Sequence, residues 1–213
     1  MLSTSQRSGC DRPWSAVAVI ALGLAACAAI PAPVAAPPAP APVTAPVPIP
    51  APVSLPCASL DAFQNTWTPE DSFSRMQDCI AKGDIARASD LDTMAVIYGN
   101  YDTWRVSDEE VKNGFTVLTY LTYRNLSDSQ RHDLAVMSGQ KAAAGTASKK
   151  ALCQKITQIG PPLYIPLYMT KYRIDDGGRS VRGPQAAQVD LVPVFDPARQ
   201  WQQAVNAVLH CAK

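Results

Sequence analysis

Few side chains in this sequence are suited to covalent or acid–base chemistry, and they are scattered. Only two histidines occur, His132 in Arg131-His132-Asp133 and His210 beside Cys211. A catalytic serine or cysteine needs a base held against it. No Gly-x-Ser-x-Gly is present and Ser148-Lys149-Lys150 lacks the Ser-x-x-Lys spacing, so no nucleophile–base motif is expected. Carboxylates cluster at Asp108-Glu109-Glu110 and at Asp175-Asp176. The first trio suits a helix N-terminus and the pair suits a turn, so neither requires an acid–base role. No glycine-rich phosphate loop occurs. One constellation suits binding. Tyr164, Tyr168 and Tyr172 recur every four residues, with Lys171 and Arg173 beside them. In a strand the three rings share a face, and in a helix they stay near one. With the adjacent cations they can grip a glycan or an extended peptide. The alternative is that they cover the edge of the core with their hydroxyls in water.

The elements around these residues read as helices. Thr68-Pro69-Glu70-Asp71 provides an N-cap, a proline at the first helical position and two acids in the first turn. Phe73, Met76 and Ile80 follow at helical spacing before Gly83. Asp84 caps a second run whose apolar side carries Ile85, Ala88, Leu91, Ala95 and Tyr98 and which is expected to end at Gly99. Ser107-Asp108-Glu109-Glu110 and Ser127-Asp128-Ser129-Gln130 have the form of capping boxes for two further helices. A fifth follows Gly145 and stops at Gly160-Pro161-Pro162; a sixth starts at Asp196-Pro197. Between them, Leu163–Pro193 is broken by proline and glycine, with a short hairpin expected around the Asp-Gly turn. The predicted fold is mainly α: an antiparallel helical bundle or set of helical hairpins, about six helices, with one irregular excursion.

The N-terminal segment is of another kind. Arg7 and Arg12 precede an uncharged apolar stretch, Trp14 to Ala26, of 13 residues. A spanning helix needs roughly 20, so this length fits the apolar region of a secretory signal. It leads into Leu24-Ala25-Ala26-Cys27, an aliphatic residue, two small residues and a cysteine. This resembles the lipobox of bacterial prolipoproteins. The resemblance covers residues 1–27 and implies that Cys27 is lipidated and becomes the first mature residue. The competing reading is a secreted protein cut at a small-x-small site such as Ala26-Cys27-Ala28. Several acyl chains hold a protein to a bilayer far more firmly than one. By the same resemblance, Ala28 in place of an aspartate favours the outer membrane over the inner.

The chain therefore divides into a signal peptide (1–26), a lipidated cysteine with a Pro/Ala-rich tether (27–56) and a globular domain (57–213). Eleven of the 19 prolines lie between Pro31 and Pro56. Proline fixes φ and disfavours helix in the residue before it. These 26 residues are expected to reach about 80 Å in extended polyproline II form. Of six cysteines, Cys57, Cys79, Cys153 and Cys211 fall in the domain. An even number in an exported domain implies two disulfides, with three connectivities open. Cys57–Cys79 and Cys153–Cys211 are the expected pairs. The first would pin the start of the domain to the helix near Pro69, and the second would staple the last helix to the one before the irregular segment. With no Cys-x-x-Cys and two histidines, neither a metal nor a cofactor is expected.

The net charge of +1 gives no general attraction to nucleic acid, but its halves differ: Cys57 to Asp133 carries 13 acids and 7 bases, Leu134 to Lys213 carries 10 bases and 4 acids. Either the two halves attract one another, or the second presents a surface to anions. The expected function is a lipid-anchored envelope protein facing the periplasm, whose domain binds an unidentified protein or cell-wall component without catalysis. A narrower alternative is an inhibitor or immunity lipoprotein against a toxin or wall-degrading enzyme, and a further one is a hydrolase built on His132 or His210.

Overall fold

The computed structural model describes residues 54–211; the leader, the lipobox and the tether up to Val53 lie outside them. Among the described residues six α-helices form a bundle with the longest at its centre, and a two-stranded antiparallel sheet lies on one flank.

Helix α1 spans Pro69–Ala81. Thr68 and Asp71 exchange side-chain and backbone bonds across its first turn, and Gly83 turns the chain away at φ 74°. Helix α2, Ile85–Arg105, does not stop at Gly99 as expected. A β-carbon at Gly99 would lie 2.1 Å from the Phe115 ring. The glycine is there to admit that ring, so it is a contact and not a terminator. Two further turns follow, and α2 ends by giving its C-cap N–H, from Val106, to Asp102. Its residues are buried on nearly every side: Ala88, Leu91, Met94, Ile97, Tyr98 and Tyr101, with Ser89, Thr93 and Asp102 among them.

Helix α3 is Glu109–Tyr123, and its cap is Asp108 rather than Ser107. The Asp108 carboxylate accepts the Glu110 and Val111 N–H groups, while the Ser107 hydroxyl donates to the Asp190 carbonyl. Helix α4, Asp128–Ala142, opens with the Ser127–Gln130 capping box. Helix α5, Ala147–Ile159, is capped by Thr146 and closed by Gly160 at φ 77°. Helix α6, Pro197–Leu209, is capped by Asp196. Helices α1, α3, α4 and α6 pack on α2, and α5 packs on α4 and α6.

The irregular excursion resolves into a 3-10 helix, Leu167–Lys171, running directly into strand β1, Tyr172–Ile174, which pairs with β2, Ser180–Arg182. Tyr172 lies opposite Arg182. The 3-10 helix and both strands pack on α3. The approach is close: a β-carbon on Gly114 would lie 2.1 Å from the Met169 carbonyl oxygen. Both expected disulfides are formed, Cys57–Cys79 and Cys153–Cys211, with Cα separations of 4.8 and 5.9 Å. No helix among the described residues is long and apolar enough to cross a membrane.

Candidate functional site

A groove of about 870 Å³ runs between α1, the C-terminal half of α3 and the hairpin. The α1 positions that border it are Glu70, Asp71, Ser74, Gln77, Asp78 and Ala81 together with the flank of Phe73, one side of the helix. Leu118 and Leu121 of α3 face them, and Val181 of β2 closes the side. Ser54 and Leu55, where the described chain begins, lie along the same wall, with the Leu55 N–H bonded to the Ser74 hydroxyl at 3.0 Å.

One end of the groove is a charged cluster centred on Glu70. Lys171 pairs with its Oε2, while Arg182 at 3.0 Å and the Tyr172 hydroxyl at 2.8 Å both donate to Oε1. The side chains of Glu70, Lys171 and Arg182 are 20 %, 18 % and 27 % exposed, so the cluster is shielded yet open to the groove. The 3-10 helix and the tight hairpin bring Lys171, Tyr172 and Arg182 together, and the first turn of α1 supplies Glu70.

The tyrosine stripe is accordingly divided. Tyr172 and Lys171 belong to this cluster. Tyr164 and Tyr168 instead turn inward to Asp102 of α2, which is wholly buried. The Tyr164 hydroxyl donates to Asp102 Oδ2 at 2.8 Å, and Arg105 holds Oδ1 through its Nε at 2.8 Å. The Tyr168 hydroxyl comes against the same carboxylate without reaching hydrogen-bond geometry. Burial outweighs Arg105 and pushes the Asp102 carboxyl up to about 6. Tyr168 and Tyr172 are 3 % and 5 % exposed, and Arg173 alone of the five residues is exposed. A continuous aromatic face at the surface is therefore not formed. The change from 3-10 helix to strand between Tyr168 and Tyr172 breaks the period that would align it, and the Tyr164 and Tyr172 hydroxyls are drawn to two different carboxylates, Asp102 and Glu70.

No protein family, curated protein or solved structure matches this chain. What the domain does must be read from its own geometry.

The two histidines are both exposed, on α4 and at the end of α6, and neither borders the groove. One spacing corrects the expectation that no nucleophile–base motif exists: Ser138-Gly139-Gln140-Lys141 is a Ser-x-x-Lys. It lies on α4, but its parts are otherwise engaged. Lys141 pairs with Asp90 and donates to the Ala86 carbonyl at 2.7 Å, while the Ser138 hydroxyl meets that of Ser89 at 2.9 Å. Both side chains are thus engaged with α2. The motif joins α4 to α2. Among the described residues no group of three or more His, Cys, Asp or Glu is placed to hold a metal ion.

Sequence reading missed Glu70 as the centre of the site, because its position in the first turn of α1 already explained an acid there. It also missed Asp102, hidden in a helix interior.

Proposed function

We propose that this chain is a lipid-anchored envelope protein, held by acylated Cys27 and extended on its proline-rich tether, whose helical domain binds a protein or cell-wall partner in the groove between α1, α3 and the hairpin. The groove carries this reading. Its apolar wall, Phe73, Leu118, Leu121 and Val181, ends in a charged cluster, the combination of burial and orientation that recognition sites use. Two disulfides suit an oxidising compartment. The leader and lipobox supply the route to it. The test is capture from envelope extract by the full chain, compared with Leu121→Arg, which fills the groove with a charge. Loss of a stoichiometric partner, with helicity unchanged, supports the reading; retention overturns it. Anchoring is tested separately: Cys27→Ser shifts the protein from the membrane to the soluble fraction, and an unchanged distribution overturns the anchor.

A second reading, an inhibitor or immunity lipoprotein, draws on another surface. Leu163, Ile165, Leu191 and Val194 are 72 %, 60 %, 44 % and 91 % exposed. Their two segments are fastened to Arg105, whose guanidinium lies 5.1 Å from the Tyr164 ring and whose carbonyl accepts the Val192 N–H at 2.9 Å. Exposed aliphatics gathered at one end suit a flat contact with a folded enzyme. Here capture would be lost on Leu163→Asp with Val194→Asp and kept on Leu121→Arg.

A further inference from the structure

We infer that the last residues of the proline-rich tether, Ile49–Val53, lie in this groove and close it until a partner displaces them. The inference rests on the binding reading above and adds the regulation of that site. These five residues precede the described ones.

The heading of the described chain carries the inference. Cys57 is bonded to Cys79, and its N–H donates to the Asp78 carboxylate at 2.6 Å. The Pro56 carbonyl accepts from the Arg75 guanidinium at 2.8 Å, and the Leu55 N–H donates to Ser74 at 3.0 Å. Each step back along the chain therefore meets an earlier position of α1. Ser54 and Leu55 border the groove at the end of this run. Beyond them along the groove lie the first turn of α1 and, joined to it at Glu70, strand β2. Five residues in polyproline II form span about 15 Å at ~3.1 Å each. That length carries the chain from Ser74 past Glu70, about 6 Å along α1 at ~1.5 Å per residue, and across β2.

The segment suits what it covers. Ile-Pro-Ala-Pro-Val has no charge and an apolar side chain at every position. Leu118, Leu121 and Val181 border the groove and offer it apolar contact. Pro50 and Pro52 have no N–H, so burial strands few donors, while the carbonyls can accept from the Gln77 and Asn125 amides on the walls. The charges at the far end answer one another: Lys171 and Arg182 pair with Glu70, and Asp71 accepts the Thr68 N–H. A neutral occupant leaves those pairs intact. A free ligand also gives up translational and rotational freedom on binding. Ile49–Val53 is already joined to the groove wall through Ser54, and so short a link holds it there at high local concentration.

The experiment uses the full chain, dilute in detergent, with the photo-crosslinking residue benzoylphenylalanine in place of Ile49. Attachment sites after irradiation are read by mass spectrometry. Attachment to the groove-lining parts of α1, α3 and β2 is expected at least fivefold above attachment to α5 and α6. Leu121→Arg should lower the groove yield at least fivefold. Equal yields on the groove and on α5 and α6, a groove yield unmoved by Leu121→Arg, or attachment between two chains overturns the inference. Replacing Ile49–Val53 by Gly-Ser-Gly-Ser-Gly keeps the length and should raise capture of the envelope partner at least fivefold; unchanged capture overturns the closure. If attachment avoids the groove while Leu121→Arg still abolishes capture, the docked tether falls and the groove remains the binding site. If attachment fills the groove while Leu121→Arg leaves capture unchanged, the groove seats the tether alone, and the partner reading falls with the closure.

Discussion

At Asp92 and Asp102 burial works against charge. Asp92 accepts the Tyr123 hydroxyl, and desolvation pushes its carboxyl up to about 6; Asp102 reaches about the same value in its wholly buried site. Each folded-state value lies above the unfolded one near 3.8. The folded protein therefore binds more protons than the unfolded chain between about pH 4 and 6, and stability rises as pH falls through that window. Three acids nearer the surface act oppositely. Asp61 beside Lys155, Asp78 beside Lys82 and Asp175 on the Arg179 N–H are held below the usual value, so their contribution is lost as pH drops through and below 4. Thermal unfolding should thus show maximal stability near pH 4–5, about 1–3 kcal/mol above that at pH 7.5. Asp92→Asn should stabilise at pH 7.5 and change little at pH 4.5. Calorimetry of both proteins across this range checks it, and a wild-type optimum at neutral pH would contradict the dominance of the two buried carboxyls.

Glycines distinguish the helices as elements. Gly99 in α2 and Gly114 in α3 are contact points, one for the Phe115 ring and the other for the Met169 backbone, each closing to 2.1 Å of an added β-carbon. Gly139 in α4 has no atom within 4 Å. Alanine at Gly139 should therefore stabilise by up to about 1 kcal/mol through helix propensity. Alanine at Gly99 should cost about 1–3 kcal/mol, because the ring must move against a packed core. Alanine at Gly114 should cost at least as much, since a backbone carbonyl has no rotamer to adopt, and it should also displace the hairpin that carries Lys171 and Arg182. Urea unfolding of the three variants checks the order.

For the whole molecule, four ion pairs among the described residues join its oppositely charged halves. Lys155–Asp61, Lys141–Asp90, Lys171–Glu70 and Arg182–Glu70 all join a base of the second half to an acid of the first. The reading of mutually attracting halves thus accounts for the charge better than a free anion-facing surface does. Covalent links complete the closure. Cys57–Cys79 spans 22 residues and Cys153–Cys211 spans 58, for which loop-closure entropy gives about 3 and about 4 kcal/mol. Replacing Cys153 and Cys211 by serine should lower stability more than replacing Cys57 and Cys79. Denaturant midpoints measured without reductant test that order.

By itself the sequence determined the helical class and the caps at Thr68, Asp84, Ser127 and Asp196, because capping and periodicity are local; it pointed to two disulfides with three connectivities open, and the fold decided among them. Tertiary structure decided the rest. Gly99 reads as a stop until a ring from another helix is seen to occupy its missing β-carbon, and Ser107 reads as a cap until Asp190 claims its hydroxyl. The tyrosine stripe dissolves for the same reason: which face a residue shows depends on partners 62 and 102 positions away, Asp102 for Tyr164 and Glu70 for Tyr172. The site is built from such distant pairs, and local pattern carries no signal of them.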